Sequence, residues 1–293
     1  MQNGGAGKSL GYNAPLPSPP LRHLRLFTMP TSDTVAEENT KIAGTAAFSK
    51  FMAVLQLIAD QETPLSIAQL SAQSGYPRPT VYRILAALMA EGMVVENPRT
   101  KHFELGPRLI NLASKSWARS DIRTAAIDAL HTLRDATRET VHLAVPSDNG
   151  MVYIEKLESP QAVRMTSRVG TRVTFYSSSV GKAYLAALDE TQRRALLRAV
   201  KLQKFTEHTI TDPELLRAEI ATTGQRGYAE DREENEAQIF CLGAAIRGSD
   251  GAPVACISIS IPVFRKHENL QATYIDPLLA TCKAISLKLA GPR

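Results

Sequence analysis

Between residues 78 and 90 the apolar positions Val81, Ile84, Leu85 and Leu88 recur at i, i+3, i+4 and i+7, which gathers them on one stripe of a helix. The opposite arc carries Pro79, Tyr82, Arg83, Ala86 and Ala90, with Arg78 and Thr80 flanking the helix start. Ahead of it, Ser66 and Gln69 have the spacing of a capping box, so a shorter helix begins there. Gly75 suits the left-handed residue that ends a helix, and Pro79 suits the first turn of the next, where a missing N–H costs nothing. Further upstream, Phe48, Phe51, Val54, Leu55 and Ile58 predict a third amphipathic helix able to cover the apolar side of the pair. Downstream, residues 93–96 and 103–105 read as strands around Asn97, Pro98, Arg99, Thr100, Lys101 and His102, a hairpin with a basic tip.

Three helices followed by such a hairpin make a winged helix-turn-helix over residues 46–106. The exposed face of its last helix is cationic, hydrogen-bonding and lean, the makeup of a helix that enters the DNA major groove with its N-terminal residues nearest the base edges. The pattern nominates Arg78, Pro79, Thr80, Tyr82 and Arg83 for contact with a double-stranded operator, with Arg99 and Lys101 of the hairpin on the phosphate backbone. A capped helical hairpin with solvated arginines would explain the two helices alone. The third helix and the basic hairpin favour DNA.

Beyond residue 106, Leu109, Ile110, Leu112, Ala113 and Trp117 are apolar along a helix over 107–120 that links two domains. Residues 121–137 predict a helix burying Ile122, Ala126, Leu130 and Leu133. Strands are expected at 140–145, 151–157 and 162–166, with Asp148, Asn149 and Gly150 as a turn between the first two. Helices follow at 178–188, 191–200 and 212–223, the last ended by Gly224, then strands at 227–230, 240–247 and 253–262 with a turn at 248–251. The C-terminal helix carries Ile275, Leu278, Leu279, Cys282, Ile285 and Leu289 on one side. Neighbouring strands joined by short turns imply a largely antiparallel sheet flanked by helices, an α+β domain over 121–293.

At 293 residues with 44% hydrophobic content, the chain has material for about two domains. Residues 1–45, rich in Gly, Pro, Ser, Thr and Asn and without periodicity, read as a disordered tail in which Met29 is an alternative start. Residues 5–9 (GAGKS) lack the earlier glycine and the preceding strand of a phosphate-binding loop. A net charge of +5 is compatible with a polyanionic partner but too mild to name one. No apolar run approaches the roughly 18 residues that cross a bilayer, and prolines at 15–20 stand where a secretory signal needs its apolar region. A cytoplasmic protein without a membrane partner is expected. Cys241, Cys256 and Cys282 are widely spaced with no CxxC pair, which argues against a disulfide framework or a zinc site, and no cofactor is expected.

Along residues 254–261 side chains alternate between faces, so Ile257, Ile259 and Ile261 share one and Cys256, Ser258 and Ser260 the other. Serines turned into a cavity suit an oxygen-rich small molecule, although an ordinary half-buried strand accounts for them equally well. Ser177, Ser178 and Ser179 ahead of Val180, Gly181 and Lys182 add a helix start. Its free N–H groups and dipole suit a carboxylate, with simple N-capping as the plain alternative.

Taken in order, these stretches resemble the IclR family of bacterial transcription regulators over about residues 46–289. The resemblance is carried by PTVYRIL (79–85), ETVHLA (139–144), VYIE (152–155), VRMTSRVG (163–170), VGKA (180–183), GYAEDREE (227–234), CLGAA (241–245) and Ser258-Ile259-Ser260. It implies a DNA-binding winged helix, a linking helix and a C-terminal effector-binding domain, assembled as a homodimer or homotetramer. It also implies that Asp231, Cys241, Ser258 and Ser260 contact a small carboxylate-bearing effector while the backbone around Ser179 and Val180 holds the acid. Asp231 is then expected to accept hydrogen bonds from effector hydroxyls, since like charges repel. Within the family, TVYRIL, Tyr176-Ser177 ahead of the Gly-Lys, EDREENE and SISIP are most similar to repressors that sense 2-keto-3-deoxygluconate. Regulators of aromatic-acid or short keto-acid catabolism are the alternative. Two departures stand out: Ser179 and Val180 are bulkier than the glycine or alanine of many members, and Gln238, Ile239 and Phe240 replace a frequent Gly-Leu-Arg. A rival of another class is an enzyme with Cys241 as nucleophile and His142 as base, but no activating motif surrounds either.

Overall fold

A computed structural model describes residues 45–118, 121–148, 150–163 and 165–291. Residues 1–44 of the expected tail, with Met29 and the GAGKS segment, lie outside the described residues, as do Asn149 of the expected turn and the last two positions of the linking helix. The chain divides into two compact units, one ending at Leu105 and the other beginning at Gly106.

The first unit runs α1 (Ala46–Ala59), β1 (Leu65–Ser66), α2 (Ile67–Ser74), α3 (Arg78–Ala90), β2 (Val94–Glu96) and β3 (His102–Leu105). Local chemistry sets the helix ends. The Ser66 amide donates to Gln69 Oε1 at 2.8 Å and the Gln69 amide to the Ser66 hydroxyl at 3.4 Å, which closes the capping box. Gly75 then turns the chain at φ 70°, and Pro79 sits in the first turn of α3. All four residues of the α3 stripe are buried, together with Val54, Leu55, Ile58 and Leu70. Phe48, expected to cover the pair, is 65% exposed, because burial along α1 begins only with the later turns. A two-residue strand that the hydrophobic pattern does not predict, β1, pairs Leu65 with Phe103 and completes a three-stranded sheet.

The second unit runs α4 (Pro107–Ala118), α5 (Asp121–Thr137), β4 (Thr140–Ser147), β5 (Gly150–Leu157), β6 (Arg172–Val173), α6 (Ser179–Ala187), α7 (Glu190–Ala199), α8 (Pro213–Arg226), β7 (Ala229–Arg232), β8 (Ile239–Arg247), β9 (Pro253–Pro262) and α9 (Asp276–Ala290). Its sheet is antiparallel throughout, in the order β6-β5-β4-β9-β8-β7. The period of two in β9 sorts the layers. Ile257, Ile259 and Ile261 join Leu130 and Leu133 of α5 and Leu278 and Ile285 of α9 in one core. Cys256 faces the other core, built by Val180 and Leu185 of α6 and by Leu216 and Ile220 of α8.

Two expectations fail here. The described residues of the span 162–166 form no strand: the carbonyls of Met165 and the following Ser167 accept from Lys156 Nζ at 2.8 and 2.7 Å, so a side chain takes the place of a ladder partner. Gly224 does not end α8, which continues to Arg226 and stops at Gly227 with φ 82°. At Gly181 the reason for glycine is close approach. A Cβ there would lie 2.3 Å from the Thr174 carbonyl oxygen and 2.5 Å from Phe175 Cα. At Gly243 a Cβ would lie 2.6 Å from the Ser179 backbone, so the start of α6 is pressed onto β8.

Candidate functional site

In the first unit, Arg78, Pro79, Tyr82 and Arg83 are exposed along the start and outer face of α3, and Thr80 is half-buried. No acidic residue occurs on this helix. At the hairpin tip, Asn97 Oδ1 accepts from the amides of Arg99 and Thr100 at 3.0 and 3.2 Å, which shapes the turn, and Lys101 adopts φ 57°. Arg99 is exposed. The Lys101 ammonium lies 3.4 Å from Glu96, an exposed ion pair that water and salt weaken.

In the second unit a cavity of about 210 Å³ opens where the start of α6 meets the sheet. Asp231, Cys241 and Ser260 line it as one row, because Asp231 pairs with Cys241 across β7 and β8, and Cys241 with Ser260 across β8 and β9. The Cys241 thiol donates to the Ser260 hydroxyl at 3.3 Å. Ser178 and Ser179 close the opposite side. The Ser178 hydroxyl accepts from the Gly181 amide, while the amides of Ser179 and Val180 have no hydrogen-bond partner among the described residues. Two of the nominated residues stand back from the cavity: the Val180 side chain is buried in the apolar core, and Ser258 lies behind His142, 3.4 Å from its Nδ1.

The remaining wall was not foreseen as binding surface. His142 and Tyr153 stack with ring centroids 4.2 Å apart, and His142 Nε2 lies 2.8 Å from the Ser167 hydroxyl. Thr171, Asn235 and Glu236 also line the space. The signal was period two again, since His142 and Tyr153 sit in stretches already singled out, but the strand order that brings them together is not written in either. Burial, then the charge of Lys156, pushes His142 down to about 3 and keeps the ring neutral.

Asp231 is buried, and its Oδ1 accepts from the amides of Glu234 and Asn235 at 2.7 and 3.3 Å. Burial, followed by the nearby Glu234 charge, pushes its carboxyl up to about 7 against the pull of those amides and of Lys182. Oδ2 has no partner among the described residues, so it is available to a ligand. Behind it the fully buried Lys182 ammonium donates to Glu234 Oε1 at 2.6 Å and lies 3.7 Å from Glu219. This buried pair ties α6 to the loop that follows Asp231 and β7, and one Glu234 oxygen has no partner among the described residues. A larger, open groove of about 870 Å³ between α7 and α8 is rimmed by Arg193, Arg194, Arg198 and Arg217. Three of these pair with Glu190 or Glu214 and no buried polar side chain lines the groove, so the smaller cavity is the better site.

The cysteine-enzyme reading loses its chemistry here. Burial and then the Asp231 charge push the Cys241 thiol well up, its partner is Ser260, and His142 is hydrogen-bonded to serines.

A winged helix with a cationic outer face and a second unit with a polar cavity define a DNA-binding protein with a ligand-binding domain. The IclR helix-turn-helix domain model matches residues 48–98, and the model described as bacterial transcriptional regulator IclR C-terminal matches residues 114–287. The chain belongs to the IclR family of DNA-binding transcriptional regulators. The HTH-type transcriptional regulator KdgR of Escherichia coli is 30% identical over 240 residues, covering 82% of this chain and 91% of the relative. KdgR of Dickeya chrysanthemi is 29% identical over 266 residues, 91% of this chain and 87% of the relative. The crystal structure of the Thermotoga maritima IclR superposes with a TM-score of 0.67 at 33% identity, over 83% of this chain and 98% of that one.

Proposed function

We propose that the chain is a repressor released from its operator by a small sugar acid, 2-keto-3-deoxygluconate or a close relative. What carries the reading is one arrangement: the row Asp231, Cys241 and Ser260 stands across a cavity from two unbonded amides at the start of α6. The amides and the positive end of the helix suit the carboxylate. Asp231 Oδ2, Ser260 and the neutral His142 suit hydroxyl and keto oxygens. In the same reading Arg78, Pro79, Thr80, Tyr82 and Arg83 meet the operator bases, and Arg99 and Lys101 meet the phosphates. Residues 46–106 are the DNA-binding domain, 107–120 the linking helix and 121–293 the effector domain. The exposed Ile110 and Leu112 of α4 support self-association into a homodimer or homotetramer.

Calorimetric titration of the full chain with 2-keto-3-deoxygluconate, glyoxylate and an aromatic acid tests the effector class. A gel shift on the DNA flanking its own gene tests the output. The sugar acid is expected to bind and to release the operator. A signal from the aromatic acid alone would overturn the sugar-acid reading, and release of DNA by no acid would overturn the repressor reading.

A further inference from the structure

The mouth of the cavity holds a second carboxylate that the function above leaves unused. Glu236 lies on the connection between β7 and β8, is exposed to solvent and lines the same space as Asp231. That connection is held in place at a cost. Glu233 and Gln238 both take left-handed backbone angles, φ 63° and 64°, which strain residues with a side chain. The Gln238 amide donates to the Glu233 carboxylate at 2.8 Å and the Val263 amide to the Gln238 carbonyl at 2.9 Å. On the cavity side, the Ser177 hydroxyl donates to Asn235 Oδ1 at 3.0 Å. Ties to the residue that follows β9 and to the turn that precedes α6 thus fix a loop that sets an acid at the entrance.

Cations are missing from the same wall: no lysine or arginine occurs among the described residues lining the cavity. Two lysines of the adjoining elements are engaged elsewhere, Lys182 with Glu234 and Glu219, and Lys156 with the carbonyls of Met165 and Ser167 and with Glu158. The capacity to hold an anion is that of one helix start. The acidic mouth also acts on the interior. After burial and the Asp231 charge, the Glu236 charge adds to what keeps the Cys241 thiol protonated.

We infer that Glu236 is a charge filter, so that the cavity selects effectors with a single anionic group, seated at α6, and rejects those carrying a second carboxylate or a phosphate ester at the far end. The inference rests on the reading of this cavity as the effector site. It names a specificity-determining residue and narrows the ligand class to monoanionic polyhydroxy acids. A mouth charge next to water is screened by salt, so the effect is graded and ionic-strength dependent.

The test is calorimetry on the full chain with two pairs matched in carbon skeleton: 2-keto-3-deoxygluconate against its 6-phosphate, and D-gluconate against D-glucarate. At low salt the wild type is expected to bind each monoanion at least about tenfold more tightly than its more highly charged partner. Glu236→Gln is expected to narrow that ratio by about threefold, and 0.5 M salt to narrow it in the wild type but little in the variant. A ratio unchanged by Glu236→Gln would overturn the charge filter and leave the effector site standing. Equal binding of both members of a pair by the wild type would do the same. Binding of none of the four acids would overturn the filter together with the reading beneath it.

Discussion

Asp231 shows how one residue can link the cavity to pH. It is a buried carboxyl with one oxygen tied by two amides and the other open, and its pKa is pushed up to about 7. In the unfolded chain an aspartate gives up its proton near 3.8, so between those values the folded state holds a proton that the unfolded state has lost. This residue therefore lowers stability as pH rises from about 4 to 7, with the full penalty above 7. Asp231→Asn keeps an acceptor for the amides and removes the charge. It is expected to raise the melting temperature at pH 8, with the gain fading toward pH 4; thermal scans across that range check it, and an equal gain at both ends would contradict the account. Arg83 makes the corresponding case on α3. If it reads a base, Arg83→Ala should weaken operator binding by about 1 to 3 kcal/mol while sparing random DNA, as fluorescence anisotropy with both duplexes would reveal. Equal loss on both would mark a phosphate contact. Residues of these two kinds were unequally legible. Arg83 follows from its own helix, whereas the cavity around Asp231 needs β4 between β5 and β9, an order that alternation within one strand does not carry.

The starts and faces of the N-terminal helices are legible in neighbouring residues, whereas the segment 162–166 and the end of α8 are not. The capping box of α2, Gly75 and the α3 stripe depend on residues a few positions apart. The segment 162–166 has strand-like composition, yet Lys156 from β5 captures the carbonyls of Met165 and of Ser167 just beyond it, and the competitor lies outside the window that composition samples. At the end of α8 the sequence offers two glycines three residues apart, and helix length decides between them. The observed choice has a measurable consequence. Gly224 is inside the helix, where an added Cβ would meet only the Ala186 carbonyl at 3.8 Å, an ordinary contact. Gly224→Ala should therefore stabilise the protein by about 0.5 to 1 kcal/mol, the usual benefit of alanine over glycine in a helix interior. Gly227→Ala should destabilise it, because φ 82° is unfavourable to any residue with a Cβ. Urea unfolding of the two variants distinguishes them, and the opposite order of stability would place the helix end back at Gly224.

At the scale of the whole molecule, the proposed DNA-contacting face and the cavity belong to different units, so any control of one by the other is a coupling free energy. Coupling of this kind is reciprocal: whatever factor the effector takes from operator affinity, the operator takes from effector affinity. Typical values are about 1 to 3 kcal/mol, or roughly 5- to 150-fold. The repressor reading thus makes two numbers equal that come from separate experiments. Anisotropy titrations of labelled operator at zero and saturating 2-keto-3-deoxygluconate give the first. Calorimetric titration of the acid into free protein and into the operator complex gives the second. Agreement within error, with both affinities weakened, is the expected result. Tight effector binding with no change in operator affinity would mean that the cavity does not control the DNA face, whatever it binds. A gain in operator affinity on both sides would keep the coupling and reverse its sign, making the acid a co-repressor or the protein an activator.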